Sequence, residues 1–125
     1  MTGAINHIEI YVSDLDRSLE FWSWFLGRLG YVEYQRWADG GSFRQGATYI
    51  VFVQTENRFL DAGYHRCRVG LNHIAFQASS KADVDELTQA LGERNMTILY
   101  RERHPHAGGS ETYAVFFEDP DPYQS

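Results

Sequence analysis

The chain repeats itself. Shifted by 66 residues, Asn6-His7-Ile8-Glu9-Ile10-Tyr11-Val12-Ser13 falls on Asn72-His73-Ile74-Ala75-Phe76-Gln77-Ala78-Ser79. Without a gap, Glu20 then falls on Glu86 and Tyr34 on Tyr100. A duplicated supersecondary unit restricts the fold more than composition does, because each copy must bury its apolar face by the same means. The patterning repeats with the identities. Residues 5–12 alternate, with Ile8, Ile10 and Val12 on one face and His7, Glu9 and Tyr11 on the other, the period of a half-buried strand. Residues 72–78 alternate alike, with Ile74, Phe76 and Ala78 opposite His73, Ala75 and Gln77.

A helix signal follows each strand. Ser13 or Asp14 can cap a helix near 14–28, whose Leu15, Leu19, Trp22 and Leu26 recur at helical spacing until Gly27 and Gly30 end it. Ser79 or Ser80 can cap a second near 80–93, with Val84, Leu87 and Leu91 as its stripe and Gly92 near its end. Strand-like segments come next: 31–37, about 42–46 and the apolar run Tyr49-Ile50-Val51-Phe52-Val53 in the first half, 96–102 and 112–118 in the second. Pro122-Tyr123-Gln124-Ser125 is too short and Pro-broken for a further strand, so the second module is expected to lack its last one. The expected class is α+β: two βαβββ modules in one domain spanning 1–125, the first about 4–56 and the second about 70–125. A linker of about 57–69 joins them and holds one helical turn. The exposed edge at Thr112 to Glu118 then needs a cover, and a homodimer supplies one, with Trp24 a candidate for the contact.

Composition excludes several classes. A chain of 125 residues with 43% hydrophobic side chains is enough for one core and too short for two full domains. The net charge of −6 repels a phosphate backbone, which argues against nucleic acid and anionic membrane as partners and leaves a small-molecule ligand. Cys67 has no partner thiol, and the N-terminal residues have neither the basic end nor the apolar stretch of a signal peptide, so a cytoplasmic location is expected. With Lys81 as the single lysine, Schiff-base chemistry is not expected.

The sharpest chemical signal is the pair His7 and His73, one per repeated strand and on equivalent faces. A pseudo-twofold would bring them toward one another, where neutral imidazoles can bind a divalent metal, although hydrogen bonding in a polar cavity would use the same residues. Glu9 is on the same face as His7, as a general base or as a partner of an arginine. Tyr11, Trp37 and Tyr49 could line a pocket and stack on a flat or cationic ligand. The loop His104–Ser110 could act as a lid.

The pieces HIEIYVSDLDRSLEFW, FLGRLGY, GLNHIAFQASSKADVDELTQAL and TYAVFFEDPD resemble the glyoxalase, bleomycin-resistance and extradiol-dioxygenase superfamily, the vicinal oxygen chelate proteins. The resemblance implies an open, cup-shaped mixed sheet with helices on the outer face, often completed by dimerisation. It also implies a divalent metal (Zn, Ni, Mn, Mg or Fe) held by His7 and His73. The implied activity is that of a metal-dependent lyase or isomerase acting on a substrate with adjacent oxygens. The alternative it carries is a metal-free protein that sequesters a small, cationic antibiotic. Two departures bear on the ligand set. Pro122 stands where the family's turn glycine precedes a final Glu, and the last strand of the first module has Phe52 near the position of a Glu found in some members. Phe52 and Gln77 are expected at the substrate pocket, and Glu9, Gln77, Glu118, a water or a residue from a second subunit could complete the ligands, none of them placed there by the family motif.

Overall fold

The computed structural model describes residues 2–121. Its contacts divide the chain into two compact units, one running to His65 and one beginning at Arg66. The first contains a complete βαβββ module: β1 (His7–Val12), α1 (Leu15–Arg28), β2 (Val32–Trp37), β3 (Gly40–Gln45) and β4 (Thr48–Gln54). The strands form an open mixed sheet in the order β1-β4-β3-β2, parallel between β1 and β4 and antiparallel elsewhere.

α1 begins where the sequence places a cap. The Asp14 carboxylate accepts from the Arg17 amide at 3.2 Å, with Asp16 in the first turn and Arg28 in the last, both favourable to the helix dipole. The Gln54 side chain pins the entry to the sheet, accepting from the Leu15 amide and donating to the Ser13 carbonyl, each at 2.9 Å. The exit is a Schellman turn, with the Tyr31 amide donating to Leu26 and the Gly30 amide to Gly27, and Gly30 at φ 95°. Gly27, expected among the terminators, lies inside the helix.

Leu19, Phe21, Trp22, Phe25 and Leu26 of α1 are buried, and they pack on the face of the sheet formed by Ile50, Phe52 and Phe43. The Trp22 ring stacks on Phe52 with centroids 5.0 Å apart. Gly41 allows the close approach, since a β-carbon there would lie 3.2 Å from the Leu19 side chain. Trp24 is half-buried on the flank of the helix, with the Arg28 guanidinium 5.7 Å over its ring.

The second unit reproduces the helix and little of the sheet. α2 (Lys81–Glu93) starts in a reciprocal box: the Ser80 hydroxyl accepts from the Asp83 amide at 3.1 Å and the Asp83 carboxylate accepts from the Ser79 amide at 3.2 Å. Its exit is also a Schellman turn, with Met96 donating to Leu91 and Asn95 to Gly92, and Asn95 at φ 59°. Asn95 thus does what Gly30 does, one residue sooner than the gapless repeat requires, so the correspondence of Tyr34 with Tyr100 does not survive the helix. The remaining pairing is a two-residue ladder between β5 (Ile98–Leu99) and β6 (Phe116–Phe117).

The strands expected over 96–102 and 112–118 therefore shrink to these short pieces, and 72–78 carries no assigned strand among the described residues. A strand is held by partners on its edge, and alternation alone does not supply one. The alternation itself remains visible in burial: Ile74 and Phe76 are half-buried, while His73, Ala75 and Gln77 are exposed. In the linker, Asn57–Ala62 forms a short 3-10 helix, as one expected turn. The expected absence of a strand after Asp121 falls outside the described residues. No described helix is long and apolar enough to cross a membrane.

Candidate functional site

The face of the sheet turned away from α1 is ordered by strand register into three rows. His7 pairs with Tyr49 and Tyr49 with Arg44; Glu9 with Val51, Val51 with Ser42 and Ser42 with Gln35; Tyr11 with Val53, Val53 with Gly40 and Gly40 with Trp37. Five of the sequence-derived candidates, His7, Glu9, Tyr11, Trp37 and Tyr49, therefore share one face of the first unit. The His7 imidazole stacks on the Tyr49 ring at 4.7 Å and 12°, Tyr34 meets Tyr49 edge-on at 5.3 Å, and the Arg44 guanidinium lies 4.4 Å over Tyr34. This continuous aromatic and cationic ladder fixes the plane of the imidazole. Glu9 is exposed and forms no ion pair among the described residues.

Phe52 is a correction. It is fully buried beneath α1, against Trp22 and Phe43, and lines no pocket on the opposite face. Strand parity decides this: Phe52 pairs with Ile10 and Gly41, and Ile10 lies one step out of phase with its neighbours Glu9 and Tyr11. Val51, next to it, occupies the far face.

The two histidines share a further feature that the sequence reading passed over. His7 Nδ1 lies 2.7 Å from the Asn6 side-chain oxygen, and His73 Nδ1 lies 2.7 Å from the Asn72 side-chain oxygen. In the second unit the Phe116 ring meets the His73 imidazole edge-on at 6.4 Å. Gln77 is exposed in the same stretch, ahead of α2, and Glu118 is engaged by Arg66 at 3.7 Å. In each unit the imidazole Nδ1 is occupied by the preceding Asn, which leaves Nε2 as the ring nitrogen open to a further partner. Among the described residues no group of three or more His, Cys, Asp or Glu could hold a metal ion. Asn6 and Asn72 were visible as identities of the repeat. The place of Tyr34 on this face was not visible, because a register shift between Glu33 and Gln35 alters the parity of β2.

A family model described as glyoxalase/bleomycin resistance protein/dioxygenase superfamily matches residues 4–124. The chain belongs to this superfamily. Within it, the uncharacterised Bacillus subtilis (strain 168) protein YqjT is 56% identical over 117 residues, covering 94% of this chain and 91% of its own. A candidate glyoxalase from Bacillus halodurans, also 56% identical, superposes with a TM-score of 0.95 over 96% of this chain and 90% of that one. A Listeria monocytogenes fosfomycin resistance protein, FosX, is 19% identical at a TM-score of 0.66, covering 98% of this chain and 88% of its own. It was solved as a mutant with Mn(II) and 1S,2S-dihydroxypropylphosphonic acid. At that identity the likeness to FosX is one of superfamily fold.

Proposed function

We propose that the protein is a cytoplasmic metal-dependent enzyme of the glyoxalase kind, a lyase or isomerase acting on a small molecule with adjacent oxygens, in which His7 and His73 are ligands of a divalent cation. The observation that carries this reading is the Asn–His contact found at both equivalent positions of the repeat, which leaves Nε2 of each ring as the donor. The superfamily's FosX member, with its Mn(II) and vicinal diol, supports a cation of the Zn, Ni, Mn, Mg or Fe class and a ligand with neighbouring oxygens.

A bound cation would draw charge from two substrate oxygens and stabilise an oxyanion that develops beside them. Tyr49 holds the His7 ring flat by stacking. Glu9, exposed on the same face, takes and returns a proton as general base. Tyr11 and Trp37 flank the substrate with apolar surface, and Gln77 offers it an amide. Two imidazoles leave positions for water, substrate and a group from a second copy, and we place the working form as a homodimer. Metal analysis of purified protein and melting with added Zn(II), Ni(II) and Mn(II) test the reading. Saturation at one hundred times Kd stabilises by about 2.7 kcal/mol, and His7→Ala and His73→Ala should each abolish most of the shift. A wild-type melt indifferent to all three metals, or a shift retained in both variants, rules it out.

A second reading is favoured by the exposure of Tyr11 and Trp37 on the face that carries Glu9. Aromatic rings beside a carboxylate bind a small organic cation without metal, as a sequestering protein for a cationic antibiotic would. Binding that survives excess chelator, with no turnover, distinguishes it.

A further inference from the structure

We propose that Asn6 and Asn72 are positioning residues that fix the tautomer of His7 and His73, placing the ring proton on Nδ1 and leaving Nε2 as a bare electron-pair donor. The inference rests on the reading that these imidazoles serve a cation, and it adds the groups that prepare them to do so.

A carboxamide oxygen has lone pairs and no proton, so in each 2.7 Å contact the imidazole Nδ1–H donates and the Asn oxygen accepts. In a neutral ring the proton on Nδ1 leaves Nε2 unprotonated. The amide orientation is settled in the second unit by its other end: the Asn72 nitrogen donates to the Arg66 carbonyl at 3.1 Å, and a flipped amide would set oxygen against oxygen there. In the first unit the imidazole is additionally clamped by its stack on Tyr49.

Local folding does not require either contact. Successive side chains on an extended segment point to opposite sides, so neighbours such as Asn6 and His7 have no default reason to meet. They meet in both units, although the first sits at the start of a paired strand and the second in a stretch with no assigned strand. The shared circumstance is the histidine. An amide placed one residue ahead of each imidazole removes the uncertainty over which nitrogen is available, and metal-ligating histidines depend on such a partner for ring orientation and tautomer.

The test uses the full chain, treated with chelator and labelled with 15N, observed by long-range 1H–15N correlation at alkaline pH. His7 and His73 should both carry the proton on Nδ1. Asn6→Ala should shift His7 alone toward the Nε2-protonated form, Asn72→Ala should shift His73 alone, and Asn6→Asp and Asn72→Asp, which keep an acceptor, should restore the wild-type pattern. In zinc titration calorimetry each Ala variant should bind about 10- to 100-fold more weakly, with its melt in chelator showing that it folds. Nε2-protonated rings in the wild type, Ala variants that keep the wild-type tautomer, or Ala variants with unaltered zinc affinity each overturn the proposal. Expected tautomers in a wild-type chain that takes up no zinc support the tautomer inference while overturning the metal reading.

Discussion

The indole of Trp37 occupies the space that a β-carbon on Gly40 would need. Such an atom would stand 2.4 Å from Trp37 Cζ2 on one side and 2.9 Å from the Phe52 carbonyl oxygen on another. Trp37 ends β2, Gly40 begins β3, and the two are register partners across the tight connection between them. The missing side chain at Gly40 therefore lets the ring lie over β3, in the register row that Val53 and Tyr11 continue.

Gly40→Ala should displace the indole and cost about 1–3 kcal/mol, the range for overpacking a well-filled site. Urea unfolding gives the energy, and Trp37→Phe in the same background identifies the fluorescence change as that of Trp37. A variant with unchanged stability and unchanged emission would contradict the close contact.

Phe52→Ala should destabilise by about 3–5 kcal/mol, because it opens a cavity between Trp22 and Phe43 beneath α1. Val51→Ala, one residue along and on the other face, removes two carbons in place of a phenyl ring and should cost less. Equal losses would mean that the parity assigned to β4 is wrong.

The two helix entries should respond alike. Asp14→Ala and Ser80→Ala each remove an acceptor for a first-turn amide, and each should lose about 1 kcal/mol in chemical unfolding. Asp14→Asn and Ser80→Thr retain a cap, so a loss as large in these as in the alanine variants would refute capping as the cause.

Tyr113 supplies a pH prediction. Its phenol donates to the Asp85 carboxylate at 2.6 Å, and this bond, then desolvation, then the Asp85 charge, raise its pKa from the ordinary 10.0. A folded-state pKa above the unfolded one means that the stabilisation is complete below pH 10.0 and is lost as pH climbs through the folded value. In a phenolate absorbance titration, Asp85→Ala should bring one tyrosine back toward its ordinary range. Superimposable wild-type and variant curves would show that the bond does not form.

The features legible in sequence were those written in local chemistry. The alternation of β1, the caps Asp14 and Ser80, and the extent of both helices can be read because each depends on a few adjacent residues. The orientation of Phe52 could not be read, since Ile50, Val51 and Phe52 are all buried and a run apolar on both faces carries no parity signal. The reach of the second unit's strands was also hidden, because pairing depends on a partner segment that alternation does not name. For the site, His7, Glu9 and Tyr11 followed from period two. The Asn–His contacts did not, as they join neighbours that the same period places on opposite faces.

The parallel pairing of β1 with β4 has a consequence for assembly order. β2, β3 and β4 join through short connections, whereas β1 meets β4 across about forty intervening residues, the costliest loop in the unit to close. The meander can zip from local contacts, and β1 is expected to dock onto it last. The stack of His7 on Tyr49 then forms with the final closure, so a nascent or partly unfolded chain holds that imidazole unclamped.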